Sequence, residues 1–178
     1  MLCVQKKKCR VHSLTGRITN PLMLKAFKAV KRNRGAAGID KQSIRMFESN
    51  LYENLSSLMR ELKTGTYQPI PLKRVYVPKG KGKLRPLGIP SVRCRVAQEV
   101  VRSLINPIFD AEFHHNSHGF RAKRGCHTAI AQIVKYHKMR HRVVLDADVK
   151  GFFDILSKVT ICDFISQFFR HYKKGIRA

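Results

Sequence analysis

Tyr67-Gln68-Pro69-Ile70-Pro71-Leu72-Lys73-Arg74-Val75-Tyr76-Val77-Pro78 runs through Lys79-Gly80-Lys81-Gly82-Lys83 into Leu84-Arg85-Pro86-Leu87-Gly88-Ile89-Pro90. Alternating and β-branched residues in the first segment predict a strand, and its prolines confine it to an edge or to strand ends. The glycine-bearing basic run at 79–83 predicts a turn, and Leu84 to Pro90 predicts the returning strand. A hairpin with a basic tip brings backbone amides and lysines close to any phosphate that approaches it.

On the N-terminal side, Leu22, Leu24, Ala26, Phe27 and Val30 follow near-helical spacing. Asn20 is expected to cap that helix, with Pro21 at its first position and Gly35 beyond its end. Arg34 to Asp40 reads as a turn. Ile44, Phe47, Leu51, Leu55, Leu58 and Leu62 then recur at three- and four-residue steps and predict one longer helix ending near Gly65.

On the C-terminal side, Ser91 is expected to cap a helix carrying Val92, Val96, Val100, Leu104 and Ile105, with Pro107 beyond it. A His-rich loop precedes a further helix over Gly125 to Lys138. Arg142 to Val149 has strand composition, the tight Lys150-Gly151-Phe152-Phe153-Asp154 follows, and an apolar helix with Ile161, Phe164, Ile165 and Phe168 closes the chain. Residues 1–20 are basic and aperiodic, and read as a flexible arm.

The 178 residues include 43% hydrophobic side chains and ten Phe, enough for one domain with a core. Lys and Arg number 36 against 11 Asp and Glu, giving a formal charge of +25, so a polyanion is the expected partner. Nucleic acid, an anionic membrane surface and an acidic protein all satisfy that charge. No stretch approaches the roughly 18 uninterrupted apolar residues of a membrane span. Five cysteines without any Cys-X-X-Cys pair argue against a disulfide framework or zinc knuckle, and a reducing cytoplasmic compartment is expected. His114, His115 and His118 lack a matching Cys or carboxylate set, and no zinc is expected there.

If 142–149 is a strand, Asp146 and Asp148 share one face. Two such carboxylates can gather a divalent cation, or can simply balance a basic chain at a strand end.

Five blocks carry a resemblance: Asn33 to Asp40, Gly65 to Pro69, Val77 to Pro90, Ser117 to Arg121 and Asp146 to Asp154. In order and over almost all of 22–154, the chain resembles group II intron reverse transcriptases (retron-type RNA-directed DNA polymerases, maturases). The resemblance implies an α+β fold, part of a right-hand polymerase: fingers over 21–140, and over 141–178 the start of a palm whose first strand is polymerase motif A. It also implies RNA as template or intron partner, primer DNA and deoxynucleotides as substrates, Mg2+ as cofactor, and a nucleic-acid-associated location.

By the same resemblance Asp148 is the catalytic metal ligand, the Val149 carbonyl is a further ligand, and Phe153 is the steric gate against a ribose 2′-hydroxyl. Either phenylalanine of the 152–153 pair can equally be core packing, and Asp146 is expected to be structural. Lys79 and Arg85 match residues that grip the triphosphate, a role suited to an ammonium point charge and a bidentate guanidinium. Arg121 resembles a position near the template and nucleotide, or serves as a general phosphate contact. Lys73, Arg74, Arg93, Arg95 and Arg102 suit RNA phosphates.

The chain departs from the family at Cys94, where an Asp is usual, and at Ala122, where a Pro is usual. It contains no Asp-Asp pair and so no motif C. The expectation is a truncated or split polymerase, inactive alone, whose palm and thumb would come from a missing C-terminal fragment. A noncatalytic RNA-binding module and a basic structural protein are the alternatives.

Overall fold

The computed structural model describes residues 14–80 and 82–148. These fall in two compact units, 13–115 and one that includes 116–148. The architecture is mixed: helices plus one two-stranded antiparallel sheet.

In the first unit a 3-10 turn at Thr15–Arg17 leads into α1, Asn20–Arg32. Thr19 holds the capping position expected of Asn20, because Pro21 needs only a helical φ and its missing N–H costs nothing in the first turn. The single helix expected over 44–64 is two, α2 (Ile44–Ser49) and α3 (Leu51–Thr64). They break at Asn50, whose φ of −119° and ψ of 44° leave the helical region. The Asn54 side chain donates to the freed Phe47 carbonyl at 2.9 Å, so the break leaves that acceptor satisfied. Hydrophobic spacing hides such a kink, since both halves bury the same stripe.

The helix after the hairpin, α4, spans Val92–Glu112 and runs through Pro107 instead of stopping before it. A proline removes one donor and crowds one turn; here apolar residues on both sides of it, with Val100 and Ile108 buried, keep the helix continuous. Ser91 caps α4 as expected, its Oγ accepting from Cys94 N–H at 3.2 Å.

Met23, Ala26, Phe27 and Val30 of α1 pack with Phe47 of α2, Leu55 and Leu58 of α3, and Val92, Val96, Ala97 and Val100 of α4. The 92/96/100 ladder is the i, i+4, i+8 stripe of one helix face. Phe27 and Phe47 stack with centroids 5.7 Å apart.

The turn between α1 and α2 is pressed against the start of α4. A Cβ on Gly38 would lie 2.6 Å from Ser91 Cα, and one on Gly35 would lie 2.0 Å from an Arg95 guanidinium nitrogen. The Arg34 to Asp40 block is thus shaped by its contact with the residues that lead out of the hairpin.

The hairpin itself is β1, Lys73–Gly80, and β2, Lys83–Ile89. The first strand starts six residues later than the sequence suggests: Tyr67 to Leu72 forms no strand, its alternate prolines removing ladder donors. None of 73–89 belongs to the hydrophobic core, so this arm stands on its own ladder.

In the second unit α5, Cys126–Lys138, starts within a residue of expectation. The strand expected over 142–149 is not formed over 142–148, which carry no regular structure. A strand needs a neighbour to take its backbone hydrogen bonds, and among the described residues none pairs with it. Of the flexible arm expected over 1–20, residues 14–20 instead form the 3-10 turn and the start of α1, with Ile18 buried in the core; residues 1–13, the helix expected over 161–168, and Val149, Phe152, Phe153 and Asp154 lie outside the described residues.

Candidate nucleic-acid and nucleotide site

Register fixes which hairpin side chains share a face. Val75 pairs with Leu87, Val77 with Arg85 and Lys73 with Ile89; between them Arg74 pairs with Gly88, Tyr76 with Pro86 and Pro78 with Leu84. A proline cannot donate, so the Tyr76–Pro86 and Pro78–Leu84 pairs must be the non-hydrogen-bonded ones. Pro78 therefore faces the outer edge of β1 and Pro86 that of β2, which blunts both edges against strand addition.

Lys79 sits in the irregularity between Pro78 and Gly80, just beyond the Val77–Arg85 pair. Gly80 and Gly82 take φ of 89° and 72°, which glycine adopts without strain, and this lets the tip reverse tightly. Lys79 and Arg85 thus lie at the same distal end of the arm, both exposed. Lys73, Arg74, Lys79, Lys83 and Arg85 form no side-chain hydrogen bond or ion pair with another described residue. Residues 62–92 contain seven Lys or Arg and no Asp or Glu, so the hairpin brings no counterion of its own. An exposed basic arm of this kind supplies phosphate contacts without first breaking internal ones.

The arginines of α4 are different. Arg93 donates to Glu61 Oε1 of α3 at 2.7 Å, with both side chains about a quarter exposed. Its hydrogen bond is the main reason that the Glu61 carboxyl titrates below its ordinary value. Arg95 donates to the Ala36 carbonyl and so ties α4 to the glycine turn. Arg102 forks onto Glu99 at 2.8 and 2.6 Å, although its side chain stays 63% exposed. Sequence reasoning grouped these three with Lys73 and Arg74; the fold gives each a protein partner.

Cys94 is buried where its Sγ accepts from Ile70 N–H at 3.4 Å, and it also pairs with the Tyr67 hydroxyl. Burial works to raise the thiol's pKa, but donors from Ser91, Tyr67 and Ile70 outweigh it and leave the group below its ordinary value. An acceptor is what this nest selects, and sulfur fills it. Tyr67 moves the other way: burial first, then its bond to Cys94, push the phenol well above its ordinary value near 10. Above about pH 10 the unfolded chain therefore loses a proton that the folded chain keeps, so stability present below that pH is lost as pH climbs. Urea midpoints measured from pH 8 to 11 are expected to fall in the parent and to fall less steeply in Tyr67→Phe.

In the second unit Arg121 and Arg124 both direct guanidinium nitrogens at the Ser117 carbonyl, at 3.5 and 3.0 Å. The loop closes on itself, with Phe120 at φ 56° and wholly exposed. His118 Nδ1 meets Thr128 Oγ1 at 2.9 Å, and that hydroxyl also accepts from Gly125 N–H at the start of α5. His118 thus organises a helix start. His114 and His115 lie in the other unit with rings 4.1 Å apart.

Asp146 and Asp148 are exposed on the irregular 141–148 segment. Among the described residues no three His, Cys, Asp or Glu side chains converge. Oxygen donors of this kind suit Mg2+, which is commonly held by one or two carboxylates plus water and substrate phosphates. The chemistry fits; the described donors are fewer than two metals require. No described helix is long and apolar enough to cross a membrane.

Residues 77–168 match the family described as reverse transcriptase (RNA-dependent DNA polymerase). The chain is 38% identical over 152 residues to Protein YkfC of Escherichia coli, covering 82% of this chain and 40% of that protein. It is 38% identical over 115 residues to the group II intron-encoded protein LtrA of Lactococcus lactis, covering 64% of this chain and 19% of LtrA. It is also 36% identical over 103 residues to a putative COX1/OXI3 intron 1 protein of Saccharomyces cerevisiae, covering 58% of this chain and 12% of that protein. The chain therefore spans less than half the length of each. The matched stretch opens inside β1, takes in the hairpin tip and both aspartates, and covers just over half of the sequence: the chain belongs to the reverse transcriptase family, with group II intron-encoded proteins among its relatives.

Proposed function

We propose that this chain supplies the fingers, residues 21–140, and the start of the palm, residues 141–178, of a group II intron-type RNA-directed DNA polymerase. The observation that carries the reading is the acid-free hairpin whose exposed Lys79 and Arg85 share its distal end within the family match. Lys79 and Arg85 hold the triphosphate of an incoming deoxynucleotide, the ammonium as a point charge and the guanidinium as a fork. Lys73 and Arg74 take template phosphates, Arg102 adds an exposed charge, and Arg93 and Arg95 act by fixing α4 to α3 and to the glycine turn. Arg121 serves as a template or phosphate contact on its own loop. Asp148, with the Val149 carbonyl, would hold Mg2+, which when bound would neutralise charge on the triphosphate. Phe153 closes the space a 2′-hydroxyl would need. RNA and primer DNA are the partners, in a nucleic-acid-associated, cytoplasmic setting.

With no Asp-Asp pair in its 178 residues, the chain alone lacks the carboxylates for a second metal. Primer extension on an RNA template is expected to be undetectable with the chain alone in Mg2+. It should appear on adding a palm–thumb fragment taken from a relative, and Asp148→Ala should abolish it. Extension by the chain alone would overturn the incomplete-site reading. Silence of the mixture, with RNA binding intact, would favour the second reading, a noncatalytic maturase-like RNA-binding module, which needs only the free basic arm and not Asp148.

A further inference from the structure

The two faces of the hairpin differ in what they offer. Val75, Val77 and Ile89 are half-buried on one face, which also carries Lys73, Arg85 and the 48% exposed Leu87. The other face carries Arg74, Tyr76, Pro78, Leu84, Pro86 and Gly88. It is the more open of the two and has no half-buried residue: Tyr76 is 58% exposed and Leu84 62%. The water-facing side of a half-covered antiparallel ribbon ordinarily carries polar residues. Here an aromatic ring stands between prolines instead, on a chain of charge +25.

We infer that this outer face is a stacking platform for single-stranded RNA, with an unpaired base laid on the Tyr76 ring and its flanking phosphate at Arg74. The inference rests on the nucleic-acid role proposed for the hairpin but assigns a surface opposite the one bearing Arg85. Three observations select the occupant. Tyr76 presents an open ring that a base can cover, and base–aromatic stacking tolerates any sequence. Arg74 is two residues away on the same face, about 6.5 Å along the strand, within side-chain reach of a phosphate next to a stacked base. No carboxylate occurs between Glu61 and Glu99 to repel a phosphate or to attract a basic protein partner. Duplex RNA offers no unstacked base to this ring and is excluded. Pro78 and Pro86 on the outer edges deny the arm a protein strand as partner, while leaving its face open. Sequence reading passes over Tyr76 because an alternating strand explains it as packing; only register and exposure show it on the more open face.

The chain contains no tryptophan, so Tyr76→Trp makes a single reporter at the platform. The full chain carrying it is titrated with a labelled single-stranded RNA and with the same sequence as a duplex, reading tryptophan emission and anisotropy together. Saturable quenching by the single strand at its anisotropy Kd, and little by the duplex, is expected. In the parent background Tyr76→Ala should weaken single-strand binding by about tenfold or more, while Tyr76→Phe stays within about twofold because the ring is retained. Single-strand binding without quenching, equal quenching by the duplex, or a Tyr76→Ala chain that binds like the parent would each overturn the platform and leave the phosphate-binding hairpin standing. Failure of the parent to bind any RNA would instead overturn the nucleic-acid reading on which it rests. Circular dichroism confirms folding of each variant.

Discussion

Gly38→Ala is expected to lower the stability of the 13–115 unit by about 3 kcal/mol, the upper end of the usual overpacking cost. The reason is what the new methyl would meet. Its nearest atoms are Ser91 Cα at 2.6 Å, Ser91 N at 2.7 Å and the Pro90 carbonyl carbon at 3.1 Å, all of them backbone. No rotamer change relieves such a clash, so the start of α4 or the whole glycine turn has to shift. Ser91 is itself fully buried and caps α4, so a shift also loosens the hydrogen bond to Cys94 N–H. Relief from the unfolded chain's reduced entropy returns only about 0.4–1 kcal/mol. Gly35→Ala makes the sharper comparison. Its methyl would approach Arg95 more closely, at 2.0 Å, but the obstacle is the end of a long side chain. Arg95 can swing away at the cost of its bond to the Ala36 carbonyl, about 1 kcal/mol. Urea denaturation should therefore rank Gly38→Ala below Gly35→Ala, the reverse of the order given by distance alone. Equal midpoints for the Gly38→Ala chain and the parent would mean that the turn does not press on α4 in solution.

The consequence for function is positional. β2 ends at Ile89, and only Pro90 and Ser91 separate it from α4. A shift at Ser91 therefore moves the base of the hairpin, and with it the line along which Lys79 and Arg85 are presented. A block of small residues far from the charged tip thus sets where that tip points.

The fold was legible in the sequence where local chemistry decides it. Ser91 reads as a helix cap because its hydroxyl has one good use there, and the hairpin reads from its alternation and its glycine tip. Features set by distant partners were not legible. The kink at Asn50 leaves the apolar stripe intact, so periodicity is blind to it. α4 continues through Pro107 because packing on either side outweighs one lost donor. Residues 142–148 have strand composition, but a strand is a property of two segments, and composition describes one.

The same division holds for the candidate site. Lys79 and Arg85 were singled out from the order of motifs, and register then put them at one end of one arm. Arg93 was grouped with the RNA-facing residues because nothing in its neighbourhood signals that Glu61, thirty-two residues earlier, is its partner. Free and occupied arginines look alike in a sequence. Charge counting therefore overstates how much of the +25 is available to a polyanion, and the hairpin's share is larger than its length suggests.

That share can be measured. Replacing the six basic residues of the arm, Lys73, Arg74, Lys79, Lys81, Lys83 and Arg85, by glutamine is expected to remove most of the salt-sensitive affinity for single-stranded RNA. If each one neutralises a phosphate, they contribute a slope of about 4 to the fall of log K with log salt, at about 0.7 per contact for single strands. Between 50 and 200 mM salt that slope alone is worth about 250-fold in Kd. The control is a second variant with six exposed basic residues on the helices and turns neutralised instead: Lys25, Lys28, Arg32, Lys41, Arg45 and Lys63. Both variants lose the same formal charge, so a diffuse attraction to a highly basic chain predicts the same loss for both. A site on the arm predicts a much shallower salt slope for the hairpin variant only. Anisotropy titrations at four salt concentrations separate the two cases, and parallel lines for the two variants would reduce the hairpin from a binding element to one more patch of a uniformly basic surface.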